Sequence, residues 1–183
     1  VIEFVFQNYS WLLLSLLVFV GLFLGETVLS QLQYQRLAIL DGQLFRVFTA
    51  HFVHTNTYHG MMNLLGLVLI GFLSSYHMEA KDWWVGLLFS IVLVSGGLLL
   101  LDPQVQWYRG MSGVLHGIVV LLILKARQMA SIIRIIILLG LAIKLFVEQT
   151  QVGFWSSEQL IGAPVIVNAH LYGVVGGGLS YFI

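Results

Sequence analysis

Ser112 lies in the run Gly110-Met111-Ser112-Gly113, and His116 follows four residues later, one helical turn from the hydroxyl. Two further polar groups stand in apolar surroundings: His170, and the pair His59 and Asn63, whose spacing of four stacks them on one helix face. There is no cysteine, so chemistry falls to Ser, His, Asn, Asp or Glu. A serine at a helix N-terminus has backbone N–H groups directed at it that can stabilise a developing oxyanion. A neutral imidazole within hydrogen-bond reach can take its proton, and His59 and Asn63 could add side-chain donors. These are the parts of a serine acyl-transfer site without a carboxylate third member. Each also has a plainer role, since a histidine in a membrane helix can be an interhelical hydrogen-bond partner and glycines around a serine permit close packing.

The elements that must position these groups follow from the distribution of charge. Of 183 residues, 59% are hydrophobic and 9% charged, against about 25% charged in a soluble domain. Eight Lys and Arg balance eight Asp and Glu. That excludes a water-soluble globule and leaves no basic field for nucleic acid. Six apolar segments emerge: Trp11 to Leu24, about Tyr58 to Tyr76, Trp83 to Leu101, the short Gly110 to Leu124, about Ile132 to Val147 with Lys144 inside it, and about Pro164 to Ile183. They predict an all-α membrane protein, a six-transmembrane-helix bundle forming a single domain over 1–183. The first segment is expected to stay in the mature protein, because no basic stretch precedes it and no small-residue cleavage site clearly follows it. The second, fourth and sixth segments run in the same direction and each carries its polar groups in its first half, so Ser112, His59, Asn63 and His170 share one side of the membrane. Lys81, Lys125, Arg127 and Arg134 fall in one set of loops and Arg36, Arg46 and Arg109 in the other, which favours a cytoplasmic N-terminus.

Two connections are long. Residues 26–57 mix Leu, Tyr, Phe and Arg with polar groups and predict a partly interfacial folded loop. The other, about 150–163, carries Phe154 and Trp155, read as interfacial anchors or as a cap over the polar cavity. His51, His54 and Asn56 are expected to hydrogen-bond within the first loop or its junction with the second helix, with no metal, since no acid adjoins them and His-Glu-x-x-His is absent. Asp41, Asp82 and Asp102 all fall in predicted loops, which disfavours an aspartyl dyad. Lys144 and Glu148, four apart, are expected to pair or to snorkel to the outer interface. The spacing of Gly173 and Gly177 fits a small-x-x-x-small helix contact.

Together, the six-segment plan, the long first loop, His59-x-x-x-Asn63, Gly110-x-Ser112-Gly113 and Ala169-His170 followed by Gly173 and Gly177 resemble the rhomboid intramembrane serine proteases, in order and in helix. The resemblance implies that Ser112 is the nucleophile and His170 the general base, and that His59, Asn63 and the Ser112 N–H form the oxyanion hole, with no cofactor and no metal. Phe45-Arg46 stands where the family usually has Trp-Arg. Tyr is frequent four residues after the nucleophile, whereas this chain has His116, a neighbour of the site that leaves a second imidazole one turn from Ser112. The stretch from Tyr108 to Gly117, with His51-Phe52-Val53-His54, is similar to the rhombosortase branch. That likeness implies a bacterial inner-membrane enzyme opening to the periplasmic side. Its substrate would be a membrane protein with a single transmembrane anchor in the bilayer, bearing a C-terminal Gly-Gly, hydrophobic, basic tail, the GlyGly-CTERM signal. The competing readings are a small transporter or channel, whose polar pathway the same residues would line, and an inactive rhomboid relative that binds membrane helices. The first lacks an inverted repeat and a polar path through both leaflets; the second sits badly with an intact Ser112 and His170.

Overall fold

In the computed structural model, residues 2–150, 157–162 and 164–183 are described. Six helices dominate: α1 (Ile2–Gly21), α5 (Thr57–Ser74), α6 (Ala80–Leu100), α7 (Ser112–Lys125), α8 (Ser131–Thr150) and α10 (Val167–Ser180). These correspond to the six apolar segments, with ends shifted by up to nine residues at the first segment's N-terminus. Helices α5 and α6 are by themselves long and apolar enough to cross a membrane. The chain is a helical membrane bundle.

The first loop folds into short pieces, α2 (Glu26–Leu32), β1 (Tyr34–Gln35), α3 (Arg36–Leu40) and α4 (Arg46–Thr49), as its mixed composition predicts. Strand β1 pairs antiparallel with β2 (Trp107–Tyr108), with Tyr34 opposite Tyr108. This two-stranded clip ties the loop to the segment just ahead of Ser112. Arginines reinforce it. Arg46 Nη1 donates to the carbonyls of Ser30 and Gln33 at 3.0 Å each, and Arg109 forks onto Glu26 at 3.0 and 2.6 Å and reaches Gln33 Oε1 at 2.8 Å. The Glu26 carboxyl is held below its ordinary range chiefly by the hydrogen bond from Arg109. Gln151 to Ser156, including Phe154 and Trp155, and Ala163 lie outside the described residues. The second long connection is otherwise seen as α9 (Ser157–Ile161).

Lipid is as apolar as a leucine side chain, so apolar surface alone gives helices little reason to associate, and close packing through small residues takes over. Helix α10 runs through the middle of the bundle, against α7 and α6. Where it meets α7, a methyl on Gly173 would overlap the Gly113 carbonyl oxygen, and one on Gly177 the Gly117 carbonyl oxygen. On the α7 side, a methyl on Gly113 would sit 2.6 Å from the Ala169 oxygen. The two backbones therefore touch over two turns. The expected Gly173/Gly177 contact is present, and its partner is the Gly113/Gly117 pair.

At the far end of α7 from Ser112, Lys125 pairs with Asp82 at 2.9 Å. Asp82 lies in the first turn of α6, not in a loop as its sequence setting suggests. There its carboxylate accepts from the Glu79 N–H and completes a capping box with Glu79. Helix α8 is peripheral. Leu145 is its buried residue, while Ile132, Ile136, Leu139, Ile143 and Phe146 face outward.

Candidate active site

Ser112 is the first residue of α7. Two contacts set that start. Gly110 holds φ +133°, a left-handed conformation that other residues rarely adopt, and a methyl there would meet the His59 ring at 2.9 Å. Its N–H donates to the Ala50 carbonyl at 3.0 Å, and its carbonyl accepts from the Tyr108 hydroxyl at 2.6 Å. The turn into α7 is thus fixed from the first loop and from β2. The first N–H of α7 to bond within the helix is that of Leu115, to the Met111 carbonyl. Those of Ser112, Gly113 and Val114 come before it, at the positive end of the helix dipole.

His170 is buried on α10, and its Nε2 lies 2.9 Å from Ser112 Oγ. The glycine seam sets that distance, since Gly113 and Ala169, each next to one of the two residues, are in backbone contact. His59 and Asn63 are buried on α5 and line the same cavity as Ser112 and His170, a space of about 710 Å³ also bounded by β2, Arg109 and residues 164–166. Asn56 caps α5 by accepting from the His59 N–H at 2.7 Å and donates to the Ile161 carbonyl at 3.0 Å. Asn63 uses one amide hydrogen on the His59 carbonyl, 3.0 Å away. His59 Nδ1 is buried with no protein partner.

His116 does not reach the Ser112 hydroxyl. Its Nδ1 is 2.7 Å from the Ser112 carbonyl, its Nε2 is 2.6 Å from Lys144 Nζ, and its ring stacks on His170 with centroids 4.3 Å apart and planes 15° apart. It is a neighbour of the imidazole rather than of the serine oxygen.

One expectation needs correction: the site has a carboxylate within reach. Glu148 Oε2 lies 2.8 Å from His170 Nδ1 and 2.8 Å from Lys144 Nζ. The i,i+4 pair of α8 does form, but it turns inward onto α10 instead of reaching for the interface, and the Glu148 side chain is only 9% exposed. The spacing signalled the pair. Its direction depends on how α8 is rotated against the bundle, which spacing alone does not set.

The first-loop histidines reach further than expected. His51 Nε2 lies 3.0 Å from Ser95 Oγ of α6, and Ser95 in turn donates to the Val47 carbonyl. Burial pulls His51 down to about 4 and His54 to about 3, so both are neutral at neutral pH. His54 stands edge-on to His59 at 5.2 Å. Among the described residues, no group of three or more His, Cys, Asp or Glu is arranged to hold a metal ion.

The family model for the Rhomboid domain matches residues 41–183. That span contains Ser112, His170, His59, Asn63, His116, Lys144 and Glu148. No curated protein matches the chain.

Proposed function

The chain belongs to the rhomboid family of intramembrane serine proteases, and from that premise we propose that it is itself an active endopeptidase in which Ser112 attacks and His170 acts as the base. The 2.9 Å approach of Ser112 Oγ to His170 Nε2, at a helix N-terminus in an open cavity, carries this reading.

The sequence of events follows from those positions. Ser112 Oγ bonds to the scissile carbonyl carbon as its proton passes to His170 Nε2. The carbonyl oxygen gains the electron pair and is met by N–H groups at the start of α7, with His59 and Asn63 as side-chain donors. The C–N bond then breaks, and His170 returns the proton to the departing amine. Water, deprotonated by the same imidazole, releases the acyl group and restores Ser112. One polypeptide is hydrolysed to two, with no cofactor and no metal taking part.

The substrate in this reading is a membrane protein whose single transmembrane anchor unwinds at the cavity. Glycine favours cleavage there, because it weakens a helix by about 1 kcal/mol relative to alanine. The His116-containing run supports a rhombosortase-like choice, removal of a C-terminal anchor next to a Gly-Gly pair. The lysines and arginines near the Lys125 end of α7 support a cytoplasmic N-terminus and a site open to the opposite side of the membrane. The rhombosortase likeness extends this to the periplasmic side of a bacterial inner membrane, and the packing of the helices against one another supports one domain over 1–183.

The test is labelling by a fluorophosphonate in detergent. Covalent labelling of the parent and none of Ser112→Ala is the expected result; equal labelling of both, or of neither, overturns the reading and favours a transporter or an inactive relative. A fusion bearing a Gly-Gly, hydrophobic, basic tail should be cut faster than the same fusion with both glycines changed to leucine. Equal cutting would remove the tail specificity alone.

A further inference from the structure

Five residues join into a closed ring that starts and ends on Ser112: its hydroxyl, His170, Glu148, Lys144, His116 and back to the Ser112 carbonyl. Two of its members can only accept, and they fix the rest. The Ser112 carbonyl accepts, so His116 Nδ1 carries a hydrogen and its Nε2 is a bare acceptor. The Lys144 ammonium donates to that acceptor at 2.6 Å and to Glu148 Oε2 at 2.8 Å. The Glu148 carboxylate accepts, so His170 Nδ1 donates to it. His170 Nε2 is then left bare, facing the Ser112 hydroxyl. Lys144 Nζ also lies 3.2 Å from His170 Nδ1, the longest of its three approaches. A proton given there would force the hydrogen onto Nε2 and leave His170 nothing to accept with, so the shorter carboxylate contact decides the tautomer.

Resting on the reading that Ser112 and His170 are the reacting pair, we propose that Glu148 is a positioning residue for His170, making the site a triad. Glu148 holds the hydrogen on Nδ1, keeps Nε2 turned to Ser112, and stabilises the imidazolium while it carries the serine proton. No proton is transferred to the carboxylate. Lys144 makes this tolerable in a membrane helix, where a lone carboxylate is expensive, by neutralising the charge one turn away on the same helix. His116 takes another ammonium hydrogen and stacks on His170, so the base ring is held at its face and at its Nδ1 edge.

Three proteins, reconstituted and assayed on one cleavable fusion, test this: parent, Glu148→Gln and Glu148→Asp. Replacing the carboxylate of a serine triad with an amide costs on the order of 10,000-fold in turnover where the carboxylate is buried against the imidazole, so a loss of about 100-fold is a lenient threshold. Glu148→Gln should lower kcat by at least about 100-fold, with KM changed less than about threefold and an unchanged thermal midpoint. Glu148→Asp, which keeps the charge on a shorter arm, should recover at least about tenfold over Gln. A folded Glu148→Gln with kcat within about threefold of the parent overturns the proposal, as does a loss confined to KM. Should glutamine cost the fold, Glu148→Ala is assayed with added formate, where a saturable rise in kcat supports the proposal and no rise opposes it. The outcomes separate cleanly from the protease reading, which stands or falls on the parent and Ser112→Ala.

Discussion

The interface between α7 and α10 and the contact of α8 with the same two helices are built on opposite principles. In the first, backbones meet through Gly113, Gly117, Gly173 and Gly177, with no side chains between them. In the second, a helix that buries little more than Leu145 is held by polar side chains: Lys144 and Glu148 at the site, Arg134 on the Ile123 carbonyl and Gln149 on Asn168. Ser112 and the His170 imidazole therefore sit on the tightest backbone contact of the bundle, and the carboxylate that meets the imidazole arrives on a peripheral helix. In lipid, the hydrophobic effect supplies neither attachment. Steric fit supplies one and hydrogen bonding the other.

Glycine substitutions should break this contrast most sharply. Gly177→Val places branched carbon against the Gly117 carbonyl, and the seam has no side chain that could yield. Overpacking typically costs about 1–3 kcal/mol, and a backbone clash should exceed that, with loss of the folded form in a detergent thermal melt and loss of fluorophosphonate labelling.

Acid should act next, through the frame that backs the seam. His51 and His54 are neutral in the folded chain and ordinary in the unfolded one, so the unfolded chain binds more protons as pH falls below about 6.5. Their contribution is intact above that value and is lost progressively as the pH drops toward about 4 for His51 and about 3 for His54. The expected fall in stability is on the order of a few kcal/mol. His51→Asn should flatten the pH dependence of the thermal midpoint; an unchanged slope would show that other groups govern it.

Smaller effects sharpen the comparison. Gly178 is beside Gly177 in α10, yet a methyl there meets nothing within 4 Å. Gly178→Ala should raise stability by about 0.5–1 kcal/mol through helix propensity, the opposite sign from its neighbour. Least of all, Leu139→Ala on the outward face of α8 should shift the thermal midpoint by no more than about 0.5 kcal/mol equivalent. A larger loss would mean that α8 is held by more than its polar contacts.

Much of this architecture was legible in the order of the residues. Charges border most of the apolar segments, because a charge inside hydrocarbon is costly; α8, with Arg134, Lys144 and Glu148 inside it, is the exception. The shared depth of Ser112 and His170 followed from helix direction and rise. What spacing could not supply was rotation. Lys144 and Glu148 satisfy each other as an i,i+4 pair whichever way α8 faces, so nothing local required the carboxylate to point at His170. Asp82 was misplaced for a related reason, since a charged first turn of a helix and the end of a loop have the same composition. The partnership of the two glycine pairs was likewise hidden, because each repeats its own period and only contact reveals that they are matched.

The bond between Ser112 and His170 spans 58 residues of chain. At about 5–20 residues per second, Ser112 is made about 3 to 12 s before His170, and Glu148 is made between them. Until α10 enters the bundle, Ser112 is an ordinary alcohol. The glycine seam that later fixes the geometry is therefore also a timer: the pairing of Ser112 with His170 cannot exist until α10 is in place.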